Sequence, residues 1–175
     1  MSPIPLFIDN LAFSKKNERL EGNLSDAECP RLSDLLKADL KAKSSTSDGS
    51  IAIHYVLQGN SDNIGQHNLQ LTINANLIGT CQRCLSEMPI KLALIFNYLI
   101  VELGANEADV NEIDSNDDVD LQEASQSMDI VALIEDEIIM AMPIAPLHID
   151  GCSAATMQSG EKSNPFAVLK GLIKP

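Results

Sequence analysis

Between His67 and Gly79 every second residue is apolar: Leu69, Leu71, Ile73, Ala75 and Leu77 alternate with polar partners. An extended chain sends successive side chains to opposite faces, so the pattern predicts a strand with one buried and one wet face. Ser50–Gln58 repeats it with Ile51, Ile53, Tyr55 and Leu57, and Pro89–Glu102 is a third, more apolar strand segment. The short span Thr80–Met88 between the last two predicts an antiparallel meander with a hairpin there. Arg19–Leu24 alternates as well. Ile4–Ile8 reads as a short strand whose Pro5 suits an edge or a strand start.

Two segments change period. In Pro30–Lys43, Leu32, Leu35, Leu36 and Leu40 fall at helical spacing, with Ser33 or Asp34 near the start and lysines near the end, where the helix dipole favours cations. Asp129 reads as the N-cap of a helix over Ile130–Met142 that Pro143 stops. On a wheel of about 100° per residue its apolar residues cover most of the circumference, and Glu135 and Asp136 share the narrow polar side. Glu137 falls inside the apolar arc. A buried carboxylate without a partner is costly, so Glu137 is expected to be paired, with Arg83 the first candidate.

The remaining segments read as connections. Ser44–Gly49 is a turn-rich loop, and residues 104–126 form an acidic, flexible excursion in which Val119 and Leu121 suit a short strand. In the irregular tail, 148–175, Asn164-Pro165-Phe166 resembles a second helix start, with Asn capping and Pro at the first helical position. The expected fold is α+β: an antiparallel sheet, open or barrel-like, covered by one apolar helix, with an acidic loop and a short C-terminal helix. At 175 residues one domain over 1–175 accounts for the length.

Composition narrows the function classes. Aromatics are 3% and Trp is absent, so the core is aliphatic. The longest apolar run, Leu92–Val101, falls short of the roughly 20 residues that span a bilayer, and with no leader-like start the expected location is cytoplasmic, away from membranes. The net charge of −13 is unevenly placed: 15 of the 25 acidic residues, and no Lys or Arg, lie between Leu92 and Glu161. Lys15, Lys16, Arg19, Arg31, Lys37, Lys41 and Lys43 cluster near the start. Broad electrostatic wrapping of nucleic acid is excluded, while a local phosphate contact is not.

The chemistry-bearing residues are few. Cys81-Gln82-Arg83-Cys84 sits on the predicted hairpin, where it reads as two small packed side chains, as half a zinc knuckle, or as a redox couple. Redox chemistry of the thioredoxin kind wants the first thiol at a helix N-terminus, and here a strand precedes it. A zinc site needs two more donors, and His148 with Cys152 supplies the only close pair, giving a Cys3His set with no other cofactor expected. Arg83 is isolated in an acidic stretch, where it contacts phosphate or pairs with a carboxylate. The histidines are scattered, no Gly-rich phosphate loop or nucleophile elbow occurs, and the acidic run Asp114–Asp120 lacks calcium-loop spacing.

Taken together, Cys81-Gln-Arg-Cys84-Leu85, the helix segment Asp129–Ile144 with its Glu135-Asp136-Glu137 and Pro143, and Asn164-Pro165-Phe166-Ala-Val-Leu169 resemble the YceD family. This is the family of the large ribosomal RNA subunit accumulation protein, found in bacteria and plastids. Some relatives carry a richer cysteine cluster after the helix. The resemblance implies a non-enzymatic ribosome biogenesis factor that promotes synthesis, processing or accumulation of large-subunit (23S) ribosomal RNA by binding precursor RNA or an assembly intermediate. On that reading Lys15, Lys16, Arg19, Arg83 and Lys91 are candidate phosphate contacts. Asn164, Phe166 and Leu169 are candidate docking groups for RNA or partner, and no small-molecule substrate is expected. Two other readings stand beside it: an acidic holder for a basic large-subunit ribosomal protein, and a zinc- or thiol-dependent enzyme.

Overall fold

A computed structural model describes residues 7–25, 27–40, 51–62, 65–102, 119–149 and 151–152. The expected tail helix with Asn164, Pro165, Phe166 and Leu169, and most of the acidic excursion, lie outside these residues.

Five strands form one open sheet in the order β2 (Arg19–Ser25), β3 (Ile51–Ser61), β4 (His67–Thr80), β5 (Glu87–Val101) and β6 (Asp120–Glu123). The first four make the antiparallel meander that the alternation predicts, and among the described residues the sheet does not close into a barrel. β6 departs from the pattern by pairing parallel to β5, Tyr98 opposite Asp120 and Val101 opposite Glu123. A two-residue ladder joins β1 (Phe7–Ile8) to β7 (Met128–Asp129).

The register sorts the faces. Leu69, Leu71, Ile73, Ala75 and Leu77 of β4 are buried with Ile51, Ile53, Tyr55 and Leu57 of β3, while Gln70, Asn74 and Asn76 face outward. Two helices, not one, cover the inner face. α3 (Ile130–Ala141) contributes Ile130, Ile134 and Ile138, and α2 (Pro30–Leu40) contributes the fully buried Leu32 and Leu36. The helical spacing of its leucines gives α2 an apolar stripe, and this same sheet face buries it.

α1 (Asn10–Lys15) has only six residues, too few for a periodic signal, and its Asp9 cap accepts from the Ala12 N–H at 2.8 Å. Asn10 is fully buried: its side chain donates to the Glu123 carbonyl at 2.8 Å and accepts from the Ser125 N–H at 2.9 Å. The chain start is thereby tied to the segment after β6. Gly59 lets α1 lie directly on β3, because a Cβ there would sit 2.7 Å from the Phe13 carbonyl oxygen.

Candidate functional site

Thr80 ends β4, and the chain turns through residues 82–84 before β5 begins at Glu87. The Cys81 N–H donates to the Ser86 carbonyl and the Leu85 N–H to the Cys81 carbonyl, both at 2.9 Å. Closing the turn requires Leu85 at φ 58°, a left-handed conformation that a branched side chain adopts only at a cost. The loop after α3 runs back to this turn, and the Gln82 N–H donates to the Pro146 carbonyl at 2.9 Å. Two segments far apart in sequence thus share one corner.

That corner holds Cys81, Cys84, His148 and Cys152, their donor atoms all within 4.8 Å of one another. Cys81 Sγ lies 3.6 Å from Cys152 Sγ, and Cys84 Sγ lies 3.4 Å from His148 Nδ1. Cys81 is fully buried and the other three are half-buried. Burial alone would raise the Cys81 pKa, but backbone N–H groups of Cys84, His148 and Arg83 aimed at its sulfur bring it down to about 5. Ser86, whose hydroxyl lies 3.0 Å from Cys84 Sγ, lowers that thiol as well. The neighbouring Cys81 sulfur raises the pKa of His148, and burial raises that of Cys152. Chemically the corner offers three sulfurs and one imidazole to a soft cation.

Arg83 does not meet Glu137. It stands exposed at the turn and makes no ion pair among the described residues. Glu137, at 7% exposure, instead accepts from the Tyr98 hydroxyl at 2.7 Å. The inference that a carboxylate in an apolar arc needs a partner holds; the partner is a neutral donor on β5. Desolvation and Glu137 together push the Tyr98 pKa up.

Glu135 departs further from the wheel reading, at 3% exposure rather than on a wet face. Its Oε1 accepts from the Leu32 N–H at 3.0 Å and its Oε2 from Arg31 Nε at 3.1 Å. The first-turn N–H groups of α2 lack helical partners, and Cys29 before Pro30 offers no side-chain oxygen, so a carboxylate from α3 takes the capping role. Arg31 also donates to Asp136 Oδ1 at 2.7 Å and to the Ala132 carbonyl at 3.0 Å. Asp136 and then Glu135 raise its pKa. The Glu-Asp-Glu motif is therefore used up in fastening α3 to α2 and β5. The sequence marks Arg31 only as one of the early cations and gives Tyr98 no role; the signal for Arg31 is that Cys29 and Pro30, at the observed helix start, bring no capping side chain.

The other candidate cations are dispersed. Lys16 pairs with Glu18 at 3.6 Å and Arg19 with Glu21 at 2.7 Å, while Lys15 and Lys91 are exposed. Arg19 stands opposite Gln58 and Gln58 opposite Gln70, which places it at the far end of the sheet from Thr80. At about 3.3 Å per residue the two ends are roughly 30 Å apart. Lys91, opposite Asn76 on the open face, belongs to the Arg83 end.

Fold and site together define a small α+β protein whose longest hairpin carries a soft-donor corner beside an exposed arginine that has no ion-pair partner among the described residues. A family model described as "Large ribosomal RNA subunit accumulation protein YceD" matches residues 69–173, more than half of the sequence, and the chain belongs to that family. The matched part takes in all but the first two residues of β4, together with β5, α3 and all four corner residues. A Haemophilus influenzae protein of the same description is 29% identical over 102 residues, covering 53% of this chain and 57% of the relative, so the chain spans less than two thirds of that protein's length. No solved structure matches.

Proposed function

We propose that this chain is a non-enzymatic ribosome biogenesis factor. It promotes synthesis, processing or accumulation of 23S ribosomal RNA by binding precursor RNA or an assembly intermediate. The observation that carries the reading is the family match over residues 69–173, within which the turn presents an exposed Arg83 with no carboxylate partner among the described residues. A guanidinium held on a short, braced turn costs little to order when it meets a phosphate. Lys91 extends the same end of the sheet. Free cations are few among the described residues, so affinity has to come from shape and hydrogen bonding as much as from charge, and the outward amides of Asn74 and Asn76 suit that role.

Crosslinking in cells followed by sequencing of bound RNA tests the proposal. Large-subunit precursor RNA should be enriched, and Arg83→Gln with Lys91→Gln should cut the enrichment. In vitro the same pair should flatten the salt dependence of binding by about 0.7–0.9 per lost phosphate contact. Absence of large-subunit RNA from the crosslinked pool would overturn it.

A second reading, the acidic holder of a basic large-subunit ribosomal protein, draws on the absence of Lys and Arg from residues 92–161. It parts from the first in one respect: neutralising Arg83 and Lys91 would leave that binding intact.

A further inference from the structure

The four-residue corner is more than a packing arrangement. We propose that Cys81, Cys84, His148 and Cys152 form a closed, structural tetrahedral zinc site that clips the loop after α3 onto the β4–β5 hairpin. The inference does not depend on the RNA reading.

Distances carry it first. Zn–S and Zn–N bonds of about 2.3 and 2.0 Å at tetrahedral angles put sulfurs roughly 3.8 Å apart and a sulfur and a nitrogen roughly 3.5 Å apart. The observed separations are 3.6 Å for Cys81–Cys152 and 3.4 Å for Cys84–His148. All four donor atoms fall within one 4.8 Å cluster, and each comes from a different side chain. A disulfide would use two sulfurs at about 2.05 Å and leave the third thiol and the imidazole unexplained.

The surroundings point the same way. Sulfur and imidazole donors select zinc over calcium or magnesium, which take oxygen. Four protein donors leave no open position for substrate or water, so the site is structural. Backbone N–H groups of Arg83, Cys84 and His148 are directed at the Cys81 sulfur, the kind of outer hydrogen bonding that orients a metal ligand. Leu85 at φ 58° is strain that a turn keeps only when something fixes it, and a metal gripping Cys81 and Cys84 does so. In the loop after α3, Ile144 and Ile149 are fully exposed and Leu147 partly so. Apolar burial is not what anchors that loop. The Gln82–Pro146 hydrogen bond is one tie, and the metal is the other.

The test uses the full chain purified under reducing conditions without chelator. Elemental analysis should find about one equivalent of zinc, and the metal-free chain titrated with Co2+ should develop the visible bands of tetrahedral thiolate coordination, both as a closed Cys3His site requires. Zinc added back at about a thousandfold over its Kd should raise Tm by roughly 10 °C. Cys152→Ser and His148→Ala, on the outer half of the corner, should each lose stoichiometric zinc, whereas His148→Cys should retain it. These outer variants keep the question open to test should Cys81→Ser fail to fold. Less than about a tenth of an equivalent of zinc, together with no tetrahedral cobalt spectrum, would overturn the proposal. So would reduced protein that binds no metal and on oxidation forms a Cys81–Cys152 disulfide.

Discussion

Removing one oxygen atom tests how the Glu-Asp-Glu helix is held. In Tyr98→Phe the ring keeps its place beside Phe96, whose centroid lies 6.4 Å away, but the hydroxyl that donates to Glu137 at 2.7 Å is gone. Glu137 stays in its 7%-exposed position with that lone pair unpaired. An unsatisfied buried acceptor costs about 1–3 kcal/mol, so a loss of about 2 kcal/mol is expected. For a chain of this length that lowers Tm by roughly 4–8 °C. Glu137→Leu alone strands the Tyr98 hydroxyl instead. The double substitution removes both polar partners and should recover to within about 1 kcal/mol of the parent, since replacing a buried pair by apolar groups is nearly neutral. Thermal and urea unfolding of the four proteins gives the coupling energy directly. A Tyr98→Phe shift below about 1 °C, or losses that simply add in the double variant, would refute the account of Glu137 as a buried, partnered carboxylate.

Two glycines separate backbone contact from side-chain contact. Gly59→Ala drives a methyl against the Phe13 carbonyl and Ser14 Cα of α1, at 2.7 and 2.8 Å, and should cost about 1–3 kcal/mol in urea unfolding. Gly79→Ala meets only the movable end of Ile90, at 2.6 Å, and should cost under about 1.5 kcal/mol; equal losses would show that α1 is not fixed against β3. At alkaline pH the chain's two tyrosines report together, because burial raises the pKa of both Tyr55 and Tyr98 above the ordinary 10.0. A phenol whose folded pKa is raised contributes stability that is full below its unfolded pKa and is lost as pH rises through the folded one. Phenolate absorbance should therefore appear above pH 10 in one cooperative step with unfolding, and a gradual titration centred near 10 would contradict the burial of both rings.

The sheet was legible because its strands alternate cleanly. Nothing in Leu69–Leu77 or Ile51–Leu57 competes with period two, and the short span at Cys81–Cys84 left the hairpin little freedom. Elements that owe their form to tertiary contact were harder to see. α1 is held by Asn10 reaching Glu123 and Ser125, more than a hundred residues away, and nothing local announces that. β6 pairs parallel to β5, which no alternation over four residues specifies. For the site, donor types and spacing named four residues that the fold brings to one corner, but only folding shows that His148 and Cys152 return to the turn. Arg83 and Glu137 went astray together. A wheel says that a carboxylate points inward, without saying which strand lies opposite, and there it is Tyr98. Glu135 misled for the converse reason, since its polar face of the helix is covered by the start of α2.

The cap that Glu135 supplies to α2 also bears on when the molecule can fold. The Leu32 N–H and its acceptor are separated by 103 residues, so the first turn of α2 stays uncapped until the chain has been made past α3. The β2–β5 meander can pair as it emerges, its contacts being local, but its apolar face then waits for helices that stabilise each other only once both exist. α2 and α3 therefore reach their full stability together: until residues 130–141 are present, the first turn of α2 lacks the acceptor for its Leu32 N–H, and the sheet face under Ile130, Ile134 and Ile138 lacks its cover.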